Sequence, residues 1–190
     1  CALLEPERIK RVSGALLAGQ TVRYWSAWPV AGEAPAGVER AGTPEAADFA
    51  LTLTPEGGAL HLVPPIGVLG VGCRRGTTAE RLEEAFSAFC ASSGLSPAAV
   101  SAAASIDLKK EEPGLAQFCE AHGWPITFYS ADQLRAVPGQ FTPSAFVAGV
   151  TGVDNVCERA AAKASGGALL LPKTAGGGVT LALAVRPFAP

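Results

Sequence analysis

Methionine is missing from all 190 residues, position 1 included. That absence argues against a complete translated reading frame and leads us to expect a processed piece with further sequence upstream. Histidine occurs only twice, and the five cysteines, at positions 1, 73, 90, 119 and 157, form no CxxC pair. No His or Cys cluster therefore speaks for a zinc site or a disulfide frame, and isolated thiols suit a reducing compartment. Apolar runs are short as well. Gly, Pro or charge breaks each one before the roughly 18 residues that span a bilayer. Glu5, Glu7, Arg8 and Lys10 stand where the apolar core of a signal peptide would begin. These absences lead us to expect a cytoplasmic protein without a membrane partner. The net charge of −2 gives no global positive field of the kind nucleic acid needs, so any anion site is local.

What is present is an ordinary globular balance, 48% apolar and 17% charged, enough to form a core without staples. Residues 6–18 place Pro6 at a first helical position and Ile9, Val12, Leu16 and Leu17 on one face, ahead of Gly19. A strand over 21–26 and a loop over 27–47 follow. Two alternating runs then flank Pro55-Glu56-Gly57-Gly58 and predict a hairpin in which His61 points outward. After Pro64-Pro65 strands and helices alternate: strand 66–72, helix 78–94, strand 101–106, helix 113–121, strand 125–130 and a helix from Ala131. Helices near 144–150 and 153–164 precede a closing hairpin with its loop at 174–177. This order predicts an α/β fold, with a three-layer α/β/α domain over 65–190 whose sheet is mostly parallel. A small α+β linking region is expected over 1–64.

In such sheets the ligand crevice lies beyond the carboxyl ends of the parallel strands. Those ends carry Gly70, Gly72, Cys73, Arg74, Arg75, Gly76 and Thr77, then Asp107 and Lys109, then Ser130, then Lys173 and Thr174. Glycines let backbone N–H groups approach a ligand at the positive mouth of a helix, and the two arginines add planar forks for carboxylate or phosphate. We therefore expect the residues named here, Asp107 apart, to bind an anion. Asp107 is the expected general base and Lys109 the expected oxyanion stabiliser. Cys73, beside two arginines at a helix start, sits where a thiol pKa is ordinarily lowered. Glu111 and Glu112, just ahead of Pro113, read as a solvated helix start that answers the dipole. A dinucleotide site fits poorly, because Gly70-x-Gly72-x-x-x-Gly76 misses the usual spacing by one residue, and no Gly-Lys-Ser/Thr completes a Walker loop.

Five motifs, "GVGCRRGTTAE", "SIDLKKEEPGL", "ITFYSADQL", "PSAFV…TGVDNVCERAA" and "LLLPKTAGGGVTLALA", resemble in order and spacing the carboxyl-terminal domain of the cobalamin-biosynthesis protein G family, the cobalt-precorrin-5A hydrolases. The segments "LLAGQTVRYWSAWP" and "HLVPPIGVLGVG" are similar to that family's central linking region, and its amino-terminal domain has no counterpart here. The resemblance implies a role in the anaerobic route to vitamin B12: opening the lactone of cobalt-precorrin-5A, with loss of acetaldehyde, to give cobalt-precorrin-5B. It implies a precorrin tetrapyrrole as substrate, other corrin-pathway enzymes as partners, and no cofactor or metal held by the protein, since cobalt arrives inside the substrate. A shorter aerobic-pathway relative resembles this domain alone. A non-catalytic corrinoid-binding module, or a protein acting on a metal-free precorrin, is the alternative.

Overall fold

The computed structural model describes residues 1–143 and 153–190; the helix expected over 144–150 lies outside them. The chain divides into two compact units. One comprises Cys1–Pro65 with Gly94–Ala99 and Phe188–Pro190, and the other Ile66–Ser93 with Val100–Pro187. No helix among the described residues is long and apolar enough to cross a membrane.

The first unit contains β1 (Ala2–Leu3), α1 (Ile9–Leu17), β2 (Val22–Ser26), β3 (Val38–Arg40), β4 (Phe49–Leu51) and β5 (Leu60–Val63), with sheet order β1-β5-β4-β2-β3. Only β1 runs antiparallel to its neighbour. The expected hairpin is therefore corrected: β4 and β5 pair in parallel, Phe49 opposite Leu60 and Leu51 opposite Leu62. Alternation along a strand is the same in either pairing, and residues 52–59 carry the chain back along the sheet instead of turning it tightly. The loop expected over 27–47 is likewise interrupted by β3, held through Val22 opposite Val38. His61 is buried, not outward: its Nδ1 lies 2.9 Å from Glu5 Oε1 and its Nε2 3.0 Å from the Glu56 carbonyl.

The second unit is a mixed α/β domain of β6 (Gly67–Cys73), α2 (Ala79–Ser93), β7 (Val100–Ile106), α3 (Pro113–Ala121), β8 (Ile126–Tyr129), α4 (Ala131–Arg135), α5 (Val156–Ser165), β9 (Ala168–Gly176) and β10 (Val179–Val185). Its sheet order is β8-β7-β6-β10-β9. The first three strands are parallel, and β10 runs antiparallel to both β6 and β9. The central β6 is apolar almost throughout because both its faces are covered. Val68 joins Ala102, Ala104 and Ile106 in a cluster with Leu134 of α4 and Val156 and Ala160 of α5. On the alternate positions Leu69 and Val71 are fully buried too. Across α2 the buried residues Leu82, Phe86, Phe89 and Cys90 recur at helical spacing. Phe86 meets Phe118 of α3 edge-on, with ring centroids 6.0 Å apart.

Small residues set the distance between α5 and the sheet. Gly70 of β6 faces α5, where a Cβ would strike the Cys157 carbonyl and touch Ala161. Gly70, expected to expose backbone to a ligand, instead admits a helix. Gly70→Ala should force α5 away from β6 and destabilise the domain by about 1 to 3 kcal/mol, the usual penalty of overpacking; urea unfolding of the two proteins measures it.

Candidate functional site

Beyond the carboxyl ends of β6 and β7 lies a cleft of about 880 Å³, contained in the second unit. Its apolar lining includes Ile106, Leu108, Val156 and Val179, and its charged lining is Arg74, Arg75, Lys109 and Lys173 against Glu112 and Asp154. Four basic groups thus face two acidic ones, although the chain as a whole is slightly acidic. Local excess of this kind is what draws an anion into a cleft.

One wall is the loop after β6. Arg74 N donates to the Gly178 carbonyl at 3.0 Å, and Thr77 Oγ1 donates to the Arg74 carbonyl at 2.8 Å. Gly76 N then donates to Glu112 Oε2 at 2.9 Å, while Glu112 Oε1 takes the Lys109 ammonium at 3.0 Å. The Gly76 N–H, then the Lys109 and Arg75 charges, hold the Glu112 carboxyl below its ordinary pKa range. Glu112 is therefore no solvated helix start: its side chain reaches back 36 residues and ties the arginine loop to the turn after β7.

The opposite wall is organised by Glu158, fully buried on α5. Its Oε1 accepts from Lys173 N at 2.6 Å and its Oε2 from Thr142 N at 2.8 Å. Asn155 caps α5, its Oδ1 accepting from Glu158 N at 2.9 Å, and its Nδ2 donates to the Thr142 carbonyl at 2.8 Å. That same carbonyl takes the Lys173 ammonium at 3.2 Å. Asp154, also in the lining, pairs with Arg159 Nε at 2.9 Å, and the hydrogen bond from Arg159 holds its carboxyl below the ordinary range.

Gly72, Cys73, Arg74, Arg75, Lys109 and Lys173 come together in the cleft as the strand-end reading expected. Other expected residues do not line it. Asp107 is exposed, so the expected base sits off the lining, where the carboxylates are Glu112 and Asp154. Ser130 caps α4 in a reciprocal pair with Gln133. Thr174 is exposed on β9 opposite Leu181, and Thr77 and Gly76 serve the loop itself. Burial raises the Cys73 thiol pKa above its ordinary value, which corrects the expectation of a lowered one: desolvation outweighs the nearby Lys109. Cys157, also in the lining, is pushed up to about 11 by burial. Among the described residues no three His, Cys, Asp or Glu side chains group as metal ligands.

Sequence reasoning missed Glu158 and, in the lining itself, Asp154, Asn155 and Thr180. An available signal was Asn155-x-x-Glu158, a capping residue with a glutamate one turn on, set among alanines that mark a buried helix face.

The family model for the cobalamin synthesis G C-terminus matches residues 67–184. The chain is 36% identical over 134 residues to a cobalt-precorrin-5A hydrolase of Priestia megaterium, which takes in 70% of this chain. It is 37% identical over 124 residues, 65% of this chain, to one of Salmonella typhimurium. Each match spans only 35% of the curated relative's length. Among solved structures, CobE, a protein from the cobalamin biosynthetic pathway, superposes with a TM-score of 0.59 at 34% identity, over 66% of this chain and 93% of that one.

The Glu112 tie carries a sign. A carboxyl whose pKa is lowered on folding contributes stability that is whole above the ordinary carboxylate range and is lost as pH falls through the folded value. Glu112→Gln should cost about 1.5 to 3 kcal/mol at neutral pH, as for a hydrogen bond to a charged group. The variant should then lose less than the wild type between about pH 5 and stronger acid. Denaturant titrations across that window check both statements.

Proposed function

The chain belongs to the cobalamin synthesis G C-terminus family, and from that membership we propose that its cleft binds cobalt-precorrin-5A within a cobalt-precorrin-5A hydrolase. The observation that carries the reading is the grouping of Arg74, Arg75, Lys109 and Lys173 around an apolar lining. A precorrin is a broad ring whose edge bears acetate and propionate carboxylates. Guanidinium and ammonium groups suit that edge, while Ile106, Leu108, Val156 and Val179 suit the ring.

On this reading the reaction adds water across the acyl–oxygen bond of the lactone, giving a carboxylate and a hydroxyl. Loss of the hydroxyl proton lets the adjoining carbon–carbon bond break. Its electron pair stays on the macrocycle, acetaldehyde leaves, and cobalt-precorrin-5B remains. The residues of this chain grip and orient the carboxylates. Both carboxylates in the lining are ion-paired and held below their ordinary pKa range, which makes them weak bases. Water activation is therefore assigned to neither of them, nor to Asp107, which is exposed and off the lining. The protein works in the cytoplasm beside the other corrin-pathway enzymes, and cobalt enters as part of the substrate.

A second reading, a corrinoid-binding module without chemistry of its own, is favoured by the match to CobE, of which this domain alone covers 93%. Acetaldehyde release separates the two.

Arg75→Ala should weaken corrin binding by about 1.5 to 3 kcal/mol, the loss of a charge-assisted contact, and leave turnover of bound substrate nearly unchanged. Asp107→Asn in the full-length protein should keep both affinity and single-turnover acetaldehyde release. Spectroscopic titration and aldehyde assays read these outcomes. A hundredfold loss of turnover in Asp107→Asn, on the order expected for a lost general base, would return that role to Asp107.

A further inference from the structure

The guanidinium of Arg74 needs a fixed direction if it is to meet a carboxylate in one geometry, because an unrestrained arginine loses rotamer freedom on binding. Its backbone is fixed by the bond from Arg74 N to the Gly178 carbonyl, 3.0 Å long. Its side chain turns to the same residue. A Cβ placed on Gly178 would stand 2.9 Å from Arg74 Cδ and 3.3 Å from both Cγ and Nε. The stem of the arginine therefore lies across a bare α-carbon.

Gly178 is the second residue of the two-residue turn between β9 and β10. The turn was expected at 174–177, but β9 continues to Gly176, and Gly177 and Gly178 have φ of 56° and 84°. Two left-handed residues make the turn type that matches strand twist. Gly177 carries a different neighbour: a Cβ there would collide with the guanidinium of Arg81, which pairs with Glu84 on α2 and does not line the cleft. The two glycines thus share a backbone requirement and differ in the arginine they accommodate.

We infer that Gly178 is a positioning residue for the cleft: its missing side chain is the seat of Arg74 and fixes how that guanidinium meets a ligand carboxylate. The inference rests on the proposed corrinoid reading and adds to it the element that aims one of the cations. Val179 opposite Cys73 and Thr180 opposite Gly72 join the turn to the end of β6, so the seat and the arginine move together. A residue with any Cβ at 178 redirects Arg74, because the flexible stem yields more readily than the backbone.

The test uses asparagine, which tolerates a left-handed backbone and still brings a Cβ. Gly178→Asn, Gly177→Asn, Arg74→Ala and Gly178→Asn with Arg74→Ala are titrated with cobyrinic acid, a corrin polycarboxylate, alongside the wild type; thermal unfolding of each is recorded. Gly178→Asn should bind about tenfold more weakly, a change worth 1.4 kcal/mol. Gly177→Asn, equally strained but placed against Arg81, should bind as the wild type does. In the Arg74→Ala background Gly178→Asn should add no further loss, the signature of one residue acting through another. Equal losses in the two asparagine variants, or a Gly178→Asn loss that persists without Arg74, would overturn the inference. If Arg74→Ala itself binds as tightly as the wild type, the corrinoid reading of the cations fails instead.

Discussion

A carboxylate that answers a backbone N–H and a lysine at once governs this domain: Glu112, with one oxygen on Gly76 N and the other on the Lys109 ammonium. Removing such a group from water is unfavourable unless each oxygen is satisfied, and here both are. The consequence is geometric. The loop after β6 and the turn after β7 become one wall, and Arg74 and Arg75 are carried on a loop whose position is set by a residue 36 positions away. Glu158 orders the facing wall by the same means, accepting Lys173 N and Thr142 N while fully buried.

Two acids engaged in holding backbone leave the basic groups of the cleft largely uncompensated. Among the described residues Arg74, Arg75 and Lys173 make no ion pair; Lys109 pairs with Glu112, whose carboxyl also feels the Arg75 charge at longer range. A chain with net charge −2 therefore presents a locally basic cleft. The apolar lining matters equally. A phosphate-only site needs donors at close range and little hydrophobic surface, whereas Leu108, still 62% exposed, adds an uncovered apolar side chain between Asp107 and Lys109. Basic groups around such a lining match a large ring with an anionic edge better than a small anion.

Much of the second unit was legible because its signals are local. β6 is a short apolar run, α2 repeats at helical spacing, and Pro113 marks the start of α3. The cations at the strand ends followed from topology, since parallel strands bring their carboxyl ends to one edge. What failed depends on distant partners. The parallel pairing of β4 with β5 leaves the same alternation as a hairpin would. Gly70 was read for a ligand because the helix that needs it, with Cys157 and Ala161, lies about ninety residues on in the chain. Glu112 looked like a helix-start acid, and only the folded loop reveals Gly76 beside it. Asp107 had the right strand end yet an exposed position, which strand order alone does not decide.

The central proposal is that charge on the rim of a corrin, gripped by these basic side chains, is what the cleft recognises. The most direct measurement compares cobyrinic acid with its methyl ester, which keeps the macrocycle and cobalt and removes the carboxylate charges. Titrated against the same protein at the same salt concentration, the free acid should bind, with affinity that falls as salt rises, and the ester should bind far more weakly. Equal affinity for acid and ester, independent of salt, would contradict the account.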